Sequence, residues 1–120
     1  MGMVLTCARD ALPGDAAAFV ICTYELTVSA VSEAGEGIFG NEDKVVGVNL
    51  LDLVTSPLGD DQVARHAALA AQRPCDPVLM PLRMVSRERR TMGMLAARIA
   101  TCGPPRAALV TVEPSEFGRR

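Results

Sequence analysis

The chain has no tryptophan, one histidine and one tyrosine, and with three phenylalanines its aromatic share is only 3%. A core assembled around large rings is therefore excluded. Hydrophobic residues make up 49% of the 120, so the interior has to be filled by Val, Leu, Ile, Met and Ala. The length suits one domain with one core. Long apolar runs are also missing. No stretch approaches the ~18–20 residues of a membrane-spanning helix, and Asp10 and Asp15 interrupt the region where a signal peptide would carry its apolar block. A soluble, cytoplasmic protein with no membrane partner is the expectation.

An excess of charge is lacking as well. The formal net charge of −2 argues against direct nucleic-acid binding, which needs a basic surface. The one basic run, "SRERR" at residues 86–90, reads as a solvated hairpin tip. Lys44 is the only lysine, and Ala, Gly, Val and Pro are plentiful, as in proteins from bacterial genomes rich in G and C. Cys7, Cys22, Cys75 and Cys102 form no CxxC or CxxH pair. Reduced, buried thiols are expected, and neither a zinc site nor a redox motif. The start "MGMVLT" fits the myristoylation pattern and reads as a chance match in a bacterial chain. No Ser-His-Asp or Cys-His spacing and no glycine-rich phosphate loop stands out, so the chain is not read as an enzyme.

What is present is a succession of short apolar segments. "AAAFVICTYELTVSAVS" suggests two strands, about 18–23 and 26–31, broken by a turn at Tyr24-Glu25. Ser32 is placed to cap a following helix, and Gly35 and Gly37, each costing about 1 kcal/mol inside a helix, keep it short. That helix is expected to end at Phe39-Gly40. Residues 41–44 are turn-like, Val45-Val46 dock as an apolar pair, and Gly47 permits a positive φ. "NLLDLV" adds another helical turn. Asp60 or Asp61 is a plausible N-cap for a helix over 61–72, which Pro74 and Pro77 end. "PVLMPLRMVS", "MGMLAARIATC" and "AALVTVE" are three strand-like runs at hairpin spacing. Pro81, lacking an N–H, belongs at an edge, a bulge or an unpaired site. The order predicts an α+β fold, a five-stranded antiparallel sheet with short helices packed on one face.

This arrangement, and two pieces of sequence in particular, resemble the PAS domains of bacterial signalling proteins. "VSEAGEGIFG" looks like the family's strand end, short helix and aromatic-glycine stop, and "VVGVNLLDLV" like its next element. The resemblance implies a flanking segment at 1–15, a PAS-like sensory domain at 16–115 and a tail at 116–120. Three features depart from the family pattern. Ser32 stands where Asn is usual, the hairpin after residue 85 lacks Asp-Gly, and the closing Asp-Ile-Thr is replaced by "EPS", Glu113 to Ser115.

The resemblance further implies a sensory module of a transcriptional regulator or histidine kinase, which senses a small apolar ligand, dimerises with itself, or does both, with an effector domain attached. The expected ligand pocket comprises Ile38, Phe39, Val46, Leu50, Leu53, Val63, His66, Met80, Leu82, Met84, Leu95 and Ala97. A wall rich in methionine and poor in aromatics accepts irregular apolar ligands, and it is equally the make-up of an ordinary small core. His66 shares a helical face with Val63, Ala67 and Ala70. Haem-binding family members take their iron ligand from this helix, so His66 is either such a ligand or an ordinary surface or hydrogen-bonded histidine. No cysteine stands where flavin-binding members need one, so flavin is not expected, and no cofactor is required. A ligand-free dimerisation module is the remaining alternative.

Overall fold

The computed structural model describes residues 17–86 and 93–114. The N-terminal flank, most of the arginine-rich hairpin tip and the C-terminal tail, including Ser115, lie outside the described residues. The first hairpin pairs β1 (Ala18–Cys22) with β2 (Val28–Val31). Both strands are shorter than their apolar run. The Thr23 hydroxyl accepts from the N–H groups of Glu25 and Thr27 and Leu26 takes a positive φ of 70°, which converts residues 23–27 into a turn.

Ser32 caps α1 (Glu33–Phe39), its hydroxyl accepting from the N–H of Gly35, with Glu33 and Glu36 at the positive end of the helix. Gly40 ends it at φ 125° and Gly47 turns the chain again at φ 95°, conformations that glycine adopts without strain. Between them the turn-like residues form a helical turn, α2 (Glu42–Val45). A 3-10 turn follows at Leu50–Asp52, started by the Asn49 side chain accepting from the Leu51 N–H.

The expected helical turn "NLLDLV" does not continue beyond this point. Val54 and Thr55, both β-branched and suited to extended backbone, form a sixth strand, β3 (Val54–Thr55). They pair with Met84 and Arg83, so among the described residues the sheet has six strands where five were expected. The longer helix, α3 (Asp60–Gln72), is capped by Gly59, not by either aspartate. Asp60 turns its carboxylate back instead, accepting from the Thr55 hydroxyl at 2.6 Å and the Ser56 N–H at 3.4 Å.

The last three strands are β4 (Val78–Met84), β5 (Met94–Cys102) and β6 (Ala107–Pro114), joined as antiparallel neighbours. The sheet order is β2-β1-β6-β5-β4-β3, so the first and last of the described strands lie side by side inside it. β4 meets β3 only at Arg83 and Met84, which leaves Pro81 with Ala96 as its one strand partner. Proline is tolerated there because that edge asks for no N–H.

All the helical turns lie against one face of the sheet. Val20, Leu82, Leu95, Ile99 and Val110 from the strands meet Phe39, Val45, Leu50 and Val63 from the helical side in one core cluster. α3 is fastened at its far end: the Arg106 guanidinium donates to the Gln72 carbonyl at 2.9 Å and the Thr101 hydroxyl to the Arg73 carbonyl at 3.0 Å. These bonds satisfy carbonyls at the helix end and favour its negative pole.

Candidate functional site

Ser32 fixes the helical side of the site. Its hydroxyl accepts from the N–H groups of Phe19 and Gly35, both at 2.9 Å, and donates to the Ala17 carbonyl at 3.0 Å. One side chain thus joins the chain entering β1 to the first turn of α1. The approach is close because Gly35 has no side chain. A Cβ there would stand 2.7 Å from the Phe19 carbonyl oxygen and 2.9 Å from both Ser32 Oγ and Val31 Cγ2. The next segment is strapped to β2 through backbone bonds, from Val28 N–H to Val48 carbonyl, Gly47 N–H to Val28 carbonyl and Leu50 N–H to Leu26 carbonyl. These place Leu50 over the sheet, fully buried.

Most of the expected pocket residues are brought together. Phe39, Leu50, Val63, Met80, Leu82, Met84, Leu95 and Ala97 all belong to the one core cluster, and Ile38 and Leu53 pack half-buried against it. Two do not join them. Val46 is 39% exposed, contrary to the expectation that it faces inward. It follows directly after the single turn of α2, so turning Val45 into the core points its neighbour, about 100° further round, to solvent. His66 stands half-buried at the border of the buried stripe of Val63, Ala67 and Ala70 and outside the core cluster. That placement does not fit a ligand reaching inward to an iron.

One corner of the core adjoins the surface. A groove of about 460 Å³ opens beside it, lined by Leu51, Thr55, Asp60, Arg83, Met84 and Val85. Met84 belongs to both places: it is a buried member of the core and also part of the groove lining. Methionine has three rotatable bonds and a polarisable sulfur, so this side chain, only 1% exposed, can yield where a branched one would not. Asp60 and Arg83, both exposed, are among the groove's lining residues. Among the described residues no group of three or more His, Cys, Asp or Glu side chains is arranged to hold a metal ion. Burial pushes the Cys22 thiol up to about 12 from its ordinary 9.0, so it sits in the core as a neutral, inert group.

Sequence reasoning missed three contributors. Val45 and Val54 are fully buried. In the sequence Val45 stands out only as half of an apolar pair, and Val54 falls in a run with helical spacing although its β-branching favours extended backbone. Gly35 looks like a helix cost, whereas its missing side chain is what lets α1 touch β1.

An antiparallel sheet with short helical turns and one longer helix across a single face defines a PAS fold, and this chain has it. A solved structure that shares it is the PAS domain of nitrogen regulation protein NR(II) from Vibrio parahaemolyticus. That structure is similar with 15% identity and a TM-score of 0.63 over 83% of this chain and 90% of the other. No family model matches the sequence, and no curated protein matches it. At 15% identity the likeness is one of fold, so function has to be argued from this chain's own residues. Among the described residues no helix is long and apolar enough to cross a membrane.

Proposed function

We propose that this chain is the sensory module of a bacterial regulator, whose core accepts a small apolar molecule and which relays the change through a homodimer to an attached effector. The observation that carries the reading is the double position of Met84, at once part of the packed core and part of the wall of an open groove. A ligand displacing that side chain would enter between Leu50, Leu82 and Leu95, an environment that is apolar throughout. A polar head would remain at the rim, where Asp60 and Arg83 stand. The shift would reach α1 and α2 through the shared core, and from α1 it would pass through Ser32 to the Ala17 carbonyl, where the chain enters the sheet. The module performs no catalysis in this reading. It belongs to a cytoplasmic transcriptional regulator or histidine kinase.

The test is native mass spectrometry of the purified protein, followed by thermal unfolding with a panel of medium-chain alcohols and fatty acids. Retained apolar mass, or a melting temperature that rises with probe concentration, is the expected result. A ligand at 100 times its Kd adds about 2.7 kcal/mol. If neither effect appears while a concentration-dependent dimer does, the protein is a ligand-free dimerisation module and the sensing part of the reading is wrong.

A further inference from the structure

The groove beside Met84 lies where β3, β4 and the start of α3 come together, and its two charged residues are supplied by different elements. Thr55 on β3 stands directly opposite Arg83 on β4, so the two side chains share one face of the sheet, with Cβ atoms ~4.5–5.5 Å apart. Asp60, the first residue of α3, is tied to that same threonine. Its Oδ1 accepts from the Thr55 hydroxyl at 2.6 Å and from the Ser56 N–H at 3.4 Å. The fold thus fixes a carboxylate next to the stem of a guanidinium.

Neither charge is used up within the fold. An ionised carboxylate accepts at both oxygens, yet both bonds to Asp60 go to Oδ1, so among the described residues Oδ2 has no donor. The Arg83 guanidinium, likewise, has no hydrogen-bonding or ion-pair partner among the described residues. The remaining lining side chains besides Thr55 are Leu51, Met84 and Val85, all apolar. At about 460 Å³ the groove falls at the smaller end of the ~300–1,000 Å³ range of small-molecule pockets.

We propose that this groove takes an α-amino acid with an apolar side chain, its carboxylate on Arg83, its ammonium on Asp60 and its side chain against Leu51 and Met84. The inference rests on the ligand-sensing part of the function proposed above and names the head group of that ligand. A guanidinium matches a carboxylate with two parallel hydrogen bonds, and a primary ammonium supplies the donor that Asp60 Oδ2 lacks. A carboxylate alone would set a second negative charge beside Asp60, and an amine alone a second positive charge beside Arg83. Like-charge contact penalises each of these. A head group carrying both signs on neighbouring atoms satisfies both residues. An exposed contact between Asp60 and Arg83 themselves contributes little, so it does not compete with a ligand that pairs with both.

The experiment is isothermal titration calorimetry of the whole chain with L-leucine and with analogues of the same carbon frame: isocaproate lacks the amine, isoamylamine lacks the carboxylate, and isoamyl alcohol carries neither charge. L-leucine should bind at least about tenfold more tightly than any of them. Asp60→Asn keeps the oxygen to which Thr55 and Ser56 donate while removing the charge, and should cancel the preference for leucine over isocaproate. Arg83→Gln should cancel the preference for leucine over isoamylamine, with circular dichroism confirming that both variants fold. Variants that keep the wild-type selectivity, or that lose affinity for every probe alike, would overturn the assignment to these two residues. Isocaproate or isoamyl alcohol binding as tightly as leucine would overturn the doubly charged head group and leave the sensing of an apolar molecule standing. A protein that binds neither these probes nor the medium-chain alcohols and fatty acids would overturn both.

Discussion

Replacing either glycine inside α1 by alanine removes the same backbone freedom, and helix propensity alone predicts a gain of about 1 kcal/mol at both positions. Their surroundings separate them. A Cβ at Gly37 meets nothing within 4 Å, whereas one at Gly35 stands 2.7 Å from the Phe19 carbonyl oxygen. That oxygen cannot swing aside, because it belongs to β1 and accepts from the Ser32 N–H at 3.0 Å. Relief to an ordinary contact of 3.4 Å requires α1 to withdraw by several tenths of an ångström, which stretches the 2.9 Å bond from the Gly35 N–H to Ser32. Overpacking of this kind costs ~1–3 kcal/mol. Set against the propensity gain, Gly35→Ala is expected to destabilise by up to about 2 kcal/mol, while Gly37→Ala stabilises by about 0.5–1 kcal/mol. One kcal/mol moves the melting temperature by about 4 °C in a domain of this size, so the two variants should melt on opposite sides of wild type. Urea and thermal unfolding followed by circular dichroism measure this directly. A Gly35→Ala protein as stable as Gly37→Ala would refute the close approach of α1 to β1.

Two further outcomes follow from single side chains. Ser32→Ala removes three hydrogen bonds at once and should cost ~1–3 kcal/mol, with faster hydrogen exchange at the Phe19 and Gly35 amides; unchanged exchange would show that Ser32 does not hold the two segments together. The Cys22 thiol, raised by burial from 9.0 to about 12, keeps its proton in the folded state where the unfolded chain loses it. Its contribution is whole below pH 9 and is lost as the pH climbs through about 12. The fall in unfolding free energy over that window should be shallower in Cys22→Ala. At neutral pH a thiol reagent should modify half-buried Cys75 in the native protein and reach Cys22 only on unfolding; equal rates would contradict the burial of Cys22.

The elements legible in the sequence were those specified locally. Ser32 before an acidic turn, glycines after Phe39 and Val46, and three apolar runs at hairpin spacing located α1, the turns and β4 to β6. What the sequence hid depends on distant partners. Val54-Thr55 is too short to declare itself a strand, and becomes one only because the edge of β4 is there at Arg83 and Met84. The central pairing of β1 with β6 joins residues 18–22 to 108–112, a contact that no local pattern encodes. Asp60 looked like a cap because aspartate commonly is one, yet the Thr55 hydroxyl and the Ser56 amide compete for the same carboxylate. For the core, composition identified the right kinds of residue, but the choice between Val45 and Val46 turned on where a single helical turn begins. His66 follows the same logic: the 100° rule set it near the buried stripe, and only the packing of α3 fixed it at the border.

If an apolar ligand enters the core past Met84, methyl NMR will register it at that side chain. With methionine methyls labelled with carbon-13 and assigned by single substitutions, the protein is titrated with n-octanol. The Met84 methyl resonance should shift first and furthest, Met80 should follow within the same core, and Met94, half-buried on β5 and outside the core cluster, should stay in place. Saturable shifts confined to residues outside the core, or none at Met84 while the probe binds, would contradict it.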